Sequence, residues 1–123
     1  MQYSSQVNEY CKNKDNVLAV GDSLKGCVAG VAGDPSKGAW VGFVLRVDGQ
    51  RIASLKFQVF GCPQLLAACA YVAEQLQDCE LTSIDRLDTA ELMLSLQIPT
   101  EKAGKILTLQ DALTRCRRGL PVN

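Results

Sequence analysis

The chain has 123 residues, 47% apolar and 21% charged, with 10 Gly and 4 Pro, a balance that supports one hydrophobic core and excludes disordered, collagen-like and coiled-coil classes. Lys plus Arg (13) equals Asp plus Glu (13), so the basic footprint of a nucleic-acid-binding domain is missing. No run of about 20 apolar residues occurs, and MQYSSQVNEY lacks the charged-then-apolar order of a signal peptide; the expectation is a cytoplasmic protein with no nucleic-acid and no membrane partner.

Residues Met1 to Asn16 are polar with Tyr3, Val7 and Tyr10 at helical spacing, which predicts a short first helix. From Val17 to Lys37 the density of Gly breaks helices and leaves one strand, around Cys27 to Val31. Val41, Phe43, Leu45 and Val47 then alternate with Gly42, Val44 and Arg46. After Asp48-Gly49, Ala53, Leu55, Phe57 and Val59 alternate with Ser54, Lys56 and Gln58. This period of two, interrupted by residues that tolerate positive φ, predicts a β-hairpin with its odd-numbered side chains buried.

Beyond Gly61, Pro63 suits the first position of a helix because its missing N–H costs nothing there. Leu65, Leu66, Cys69, Val72, Ala73 and Leu76 trace its apolar face to about Gln77. Thr82 to Gln97 reads as one or two short helices, with Leu87, Leu92, Leu94 and Leu96 apolar, Asp88 or Thr89 as cap and Pro99 as stop. A last helix spans about Glu101 to Arg118, with Ile106, Leu109, Leu113 and Cys116 on its buried face. Its basic end, Arg115, Arg117 and Arg118, reads as solvated cations at the negative end of the helix dipole. Strands first and helices afterwards give an α+β domain, a small antiparallel sheet of about three strands covered on one face by helices.

The six cysteines, Cys11, Cys27, Cys62, Cys69, Cys79 and Cys116, form no Cys-x-x-Cys pair, and the chain contains no His. Zinc-ribbon and zinc-finger sites are thereby disfavoured, as are Ser-His-Asp and Cys-His mechanisms, which need a base titrating near neutral pH. Nothing marks the chain as secreted, so the thiols read as free. Cys62 stands apart, because a cysteine at a helix N-terminus meets unpaired N–H groups and the positive end of the dipole, a setting that favours its thiolate. The other five read as small buried or surface residues. Trp40 and Phe43 read as core aromatics, with a partner surface as the alternative.

The segments YSSQV, from Tyr3, and VDGQRIASLKFQVFGC, from Val47, followed by a helix with Ala67 and Ala68, resemble the IscU/NifU-type iron-sulfur cluster assembly scaffold family over nearly the whole chain. The resemblance implies one NifU N-terminal-like domain over residues 1–123 with a SufE/NifU-like fold. It also implies a non-enzymatic role in iron-sulfur cluster assembly, an iron-sulfur cluster or iron as the cofactor class, and a cysteine desulfurase or another assembly protein as partner. Of the family's three cysteine ligands only Cys62 is present, and it is the candidate sulfur or metal contact. Aligned without gaps, the Cys-Gly-Asp triplet of the family falls on Lys37, Gly38 and Ala39, and its His-Cys pair on Gly104 and Lys105. Its Leu-Pro-Pro-Val-Lys chaperone-docking segment falls on Ile98, Pro99, Thr100, Glu101 and Lys102, of which the first Pro and the Lys persist.

A cluster usually takes four thiolates, and a protonated Lys offers donors but no lone pair. The expectation is therefore a scaffold-like accessory that does not hold a cluster by itself, with Lys37 and Lys105 as site neighbours. The alternative is a ligand-depleted scaffold fold that binds a protein or small anion between Lys37, Lys105 and the helix N-terminus. A thiol-dependent enzyme using Cys62 as nucleophile ranks third, since it lacks a His base.

Overall fold

Alternation from Ala39 onward places one set of side chains on a single face, and in the computed structural model that set fills the core. Residues 3–19, 21 and 25–119 are described. Strands β1 (Val28–Asp34), β2 (Ala39–Asp48) and β3 (Arg51–Gly61) form an antiparallel sheet in the order β1-β2-β3. Val41, Phe43, Leu45, Leu55 and Phe57 are all buried, and burial of each such side chain contributes about 1.5–3 kcal/mol. Phe43 and Phe57 pair directly across the strands and meet edge to face, with ring centroids 6.5 Å apart.

The expected alternation fails at one place. Arg46 pairs with Ser54 but Val47 pairs with Ile52, so Ala53 is an extra residue in β3. A bulge of this kind reverses the facing of the side chains beyond it. Ile52 therefore takes the core position and Ala53, expected to face inward, is exposed. The hairpin closes through Gly49 at φ +63°.

β1 runs on past Val31 to Asp34 because Gly30 and Gly33 allow close approach. A Cβ on Gly30 would lie 2.5 Å from the Ala112 carbonyl oxygen and the Cys116 nitrogen. The final helix, α5 (Ala103–Arg118), thus rests directly on the sheet through Ile106, Leu109, Ala112, Leu113 and Cys116. Glu101 and Lys102, expected in its first turn, belong to a separate 3₁₀ turn (Thr100–Lys102). Arg115 is not merely solvated, since its Nη1 donates to the Val31 carbonyl at 2.6 Å, on the outer edge of β1. Arg117 Nε lies 3.6 Å from an Asp85 carboxylate oxygen.

The remaining helices cover the same face. The short first helix is α1 (Ser5–Lys12); its N-cap Ser4 accepts from the Val7 N–H at 3.1 Å and donates to the Leu96 carbonyl at 2.6 Å, while Val7 is fully buried. The helix α2 (Pro63–Leu76) packs on β3 and against α1, burying Leu65, Ala67, Ala68, Cys69, Val72, Ala73 and Leu76. Thr82–Asp85 (α3) and Thr89–Leu96 (α4) follow, and Asp88 caps α4 by accepting from the Ala90 and Glu91 N–H groups. Leu94 of α4, though apolar, is 79% exposed. Between α1 and β1 the chain pairs in parallel with β3 at Val17 and Phe57, an edge contact the sequence does not announce.

Candidate functional site

Cys62 stands where β3 becomes α2. It is the N-cap of that helix, half-buried, and its side chain makes no capping bond to the helix N–H groups. Its nearest polar contact is the Gln64 Oε1 at 3.8 Å, and Gln64 is itself buried. The sequence placed Cys62 at this helix start from Pro63 alone, and the structure agrees.

The strand opposite brings in the second expected segment. Ala39 pairs with Gly61, and a Cβ on Gly61 would lie 3.1 Å from the Gly38 carbonyl oxygen. The stretch Lys37, Gly38 and Ala39 therefore borders Cys62 through one residue pair. Lys37 is exposed at the end of a 3₁₀ turn (Pro35–Lys37), and Gly38 leaves it at φ +77°. Asp34 starts the turn, accepting from the Ser36 hydroxyl at 2.8 Å and the Ser36 N–H at 2.9 Å. Those two bonds, hydroxyl first, hold its carboxyl below the usual range. This carboxylate, which pairs in register with Ala39, was missed in the sequence; it is committed to its turn.

Lys105 lies half-buried in the first turn of α5. One turn on, Thr108 approaches Gly33, where a Cβ would meet its Cγ2 at 2.7 Å. The start of α5 thus borders the β1 end that carries the Lys37 turn. Among the described residues, no hydrogen bond or ion pair joins Lys37 or Lys105 to Cys62, and no group of three or more His, Cys, Asp and Glu gathers. The segment aligned with the chaperone-docking motif holds Ile98 buried, with Pro99, Thr100 and Glu101 exposed.

The other cysteines separate into two kinds. Cys69 and Cys116 are fully buried, whereas Cys11, Cys27 and Cys79 are half-buried; all six are free thiols. Cys11 was set aside in the sequence as a packing residue, yet its thiol donates to the Pro63 carbonyl at 3.2 Å, at the first residue of α2. Burial pushes the Cys11 thiol up, Lys14 acts against this, and the nearby Cys62 raises it further. The signal in the sequence was its spacing, four residues after the buried Val7 on one helix face. Of the two aromatics, Phe43 is core as expected. Trp40 is half-buried instead, with its ring over Gly42 on the uncovered face of the sheet.

The family profile described as NifU-like N terminal domain matches residues 2–117. The chain belongs to that family. Among solved structures, it resembles the N-terminal part of a nitrogen-fixing NifU-like protein from Brucella abortus, with a TM-score of 0.72, 13% identity, and coverage of 94% of this chain and 92% of that one. It also resembles a protein of Fervidobacterium islandicum AW-1 described as a candidate iron-sulfur cluster assembly scaffold for the SUF system. There the TM-score is 0.60 and identity 20%, covering 91% of this chain and 82% of that one. At these identities the likeness establishes the fold, an α+β NifU-like sheet and helix layer. No curated protein matches the chain.

Proposed function

We propose that this NifU-like domain is a non-enzymatic accessory of iron-sulfur cluster assembly, which accepts sulfur or a metal at Cys62 and does not hold a cluster alone. The observation that carries the reading is the neighbourhood of Cys62. A half-buried thiol at a helix start is bordered by Lys37, Gly38 and Ala39, which supply no ligand beside it. A cluster, here the cargo, needs thiolates that the protonated Lys37 and Lys105 cannot replace. A reachable thiol without cluster ligands beside it suits transient receipt of sulfur, and the partner of matching chemistry is a cysteine desulfurase carrying a persulfide. Among the described residues no helix is long and apolar enough to cross a membrane, which is compatible with work in the cytoplasm.

Anaerobic incubation with iron and sulfide tests the first half of the proposal. The expected result is no chelator-resistant cluster absorbance, and stoichiometric absorbance would overturn it. Incubation with a cysteine desulfurase and cysteine tests the second, with sulfur transfer to Cys62 expected and abolished in Cys62→Ser.

The second reading, a protein-interaction module, is favoured by the uncovered sheet face, where Val31 is 48% exposed and Phe60 57% exposed. Normal partner binding by Cys62→Ser, with no sulfur uptake by the native chain, would select it.

A further inference from the structure

We propose that Cys11 and Cys62 form a resolving thiol pair, in which Cys11 clears a sulfur adduct from Cys62 by closing a disulfide with it. This rests on the reading of Cys62 as the thiol that accepts sulfur, and it adds a function for α1.

Three observations point to the pair. The Cys11 thiol donates to the carbonyl oxygen of Pro63, the residue next to Cys62, at 3.2 Å. Each thiol is half-buried and therefore reachable from solvent, whereas Cys69 and Cys116 are sealed in the core. Cys62 also makes no capping bond, and its polar contact to Gln64 is a long 3.8 Å approach, so rotation about its χ1 angle gives up little. A disulfide needs Cα atoms within about 4.4–6.8 Å, and the Cys11 thiol already reaches the backbone of the residue next to Cys62.

The chemistry balances in two steps. The Cys62 thiolate first attacks a persulfide or disulfide donor; one donor S–S bond breaks, a new one forms to the Cys62 Sγ, and the donor leaves as a thiolate. The Cys11 thiol, after giving its proton to solvent, then attacks the Cys62 Sγ. The bond between that Sγ and the adduct sulfur breaks, and the electron pair departs with hydrosulfide or with the donor's second thiolate. The two protein thiols lose two electrons and the donor gains two. A small dithiol reductant reopens the pair.

Glutathione disulfide is the probe, applied to the full chain at neutral pH and read by peptide mapping under non-reducing conditions. The native chain should end as a Cys11–Cys62 disulfide, with at least about tenfold less glutathione adduct than Cys11→Ser, which should hold the adduct on Cys62. Ser keeps a hydroxyl donor for the Pro63 carbonyl, and the native disulfide map is decisive without the variant. Equal adduct in both proteins, or a disulfide from Cys11 to any other cysteine, overturns the pair. No adduct or disulfide at Cys62 in either protein overturns both the pair and the accepting role of Cys62. Closure of the disulfide with glutathione disulfide, but no persulfide on Cys62 when Cys11→Ser is incubated with a cysteine desulfurase and cysteine, would leave the pair standing and sink the sulfur reading alone.

Discussion

Cys11 and Cys62 are half-buried where the end of α1 meets the start of α2; Cys69 and Cys116 are sealed in the core. The residue type is the same and the chemistry is opposite. Burial alone pushes the Cys69 thiol far up, out of reach of ionisation at neutral pH. For Cys116 burial raises it to about 12, while its hydrogen donates to the Phe43 carbonyl at 3.3 Å. Desolvation disfavours the charged form wherever water cannot follow. Cys11 and Cys62 keep partial access to water and so to exchange partners, although burial raises the Cys11 thiol too. Burial, not position along the element, separates the two kinds, since Cys116 lies in the last turn of α5 and is sealed all the same.

The largest expected effect is in reaction rate. With a thiol at about 12 for Cys116, the thiolate fraction at pH 8 is on the order of 10³-fold below that of an ordinary cysteine. Native-state alkylation with iodoacetamide should therefore label the half-buried Cys62 faster than Cys69 or Cys116, and denaturant should speed Cys116 by on the order of 10³-fold. Comparable native rates for the two groups would break the comparison.

Next is a substitution that attacks one side of it. Gly30→Ala would drive a methyl group into the backbone of α5 at Ala112 and Cys116, and overpacking of this sort costs about 1–3 kcal/mol. Urea denaturation should show that loss, and Cys116 should label faster while Cys11 and Cys62 keep their rates. Unchanged stability would mean that α5 sits further from β1 than described here.

The hairpin was legible because one buried face imposes a period of two. The bulge was not, since Ile52 and Ala53 are both apolar and either satisfies that period until tertiary pairing selects one. The start of α2 was legible from Pro63, and Cys62 with it. What escaped was every contact made across the chain: Val17 against Phe57, Arg115 on Val31, and Cys11 on Pro63. Local spacing says which face of α1 is inward, but only the packing of α1 on α2 says that Cys11 ends beside Cys62. The Lys37 turn was placed by family alignment, and its capping by Asp34 follows from an Asp two residues before a Ser, a signal weak enough to pass unread.

The smallest expected effect concerns what holds α1 in place to present Cys11. Tyr10, the preceding residue, meets Tyr71 of α2 edge to face at 5.3 Å. Burial, followed by its hydrogen bond to Glu74, raises the Tyr10 phenol from 10.0 to about 12. A group raised in the folded state stabilises fully below its unfolded value and loses that contribution as pH climbs through the folded one. The stability from Tyr10 should thus be intact at pH 8 and decline between about pH 10 and about 12. Because the side chain is only partly buried and water screens its phenol, the contribution is held to below about 1 kcal/mol. Tyr10→Phe keeps the ring contact and removes the titrating proton, so its urea midpoint should fall less than that of the native chain across this interval. If the two midpoints fall in parallel, the phenol does not hold α1 on α2, and the placement of Cys11 rests on Val7 and the Ser4 cap instead.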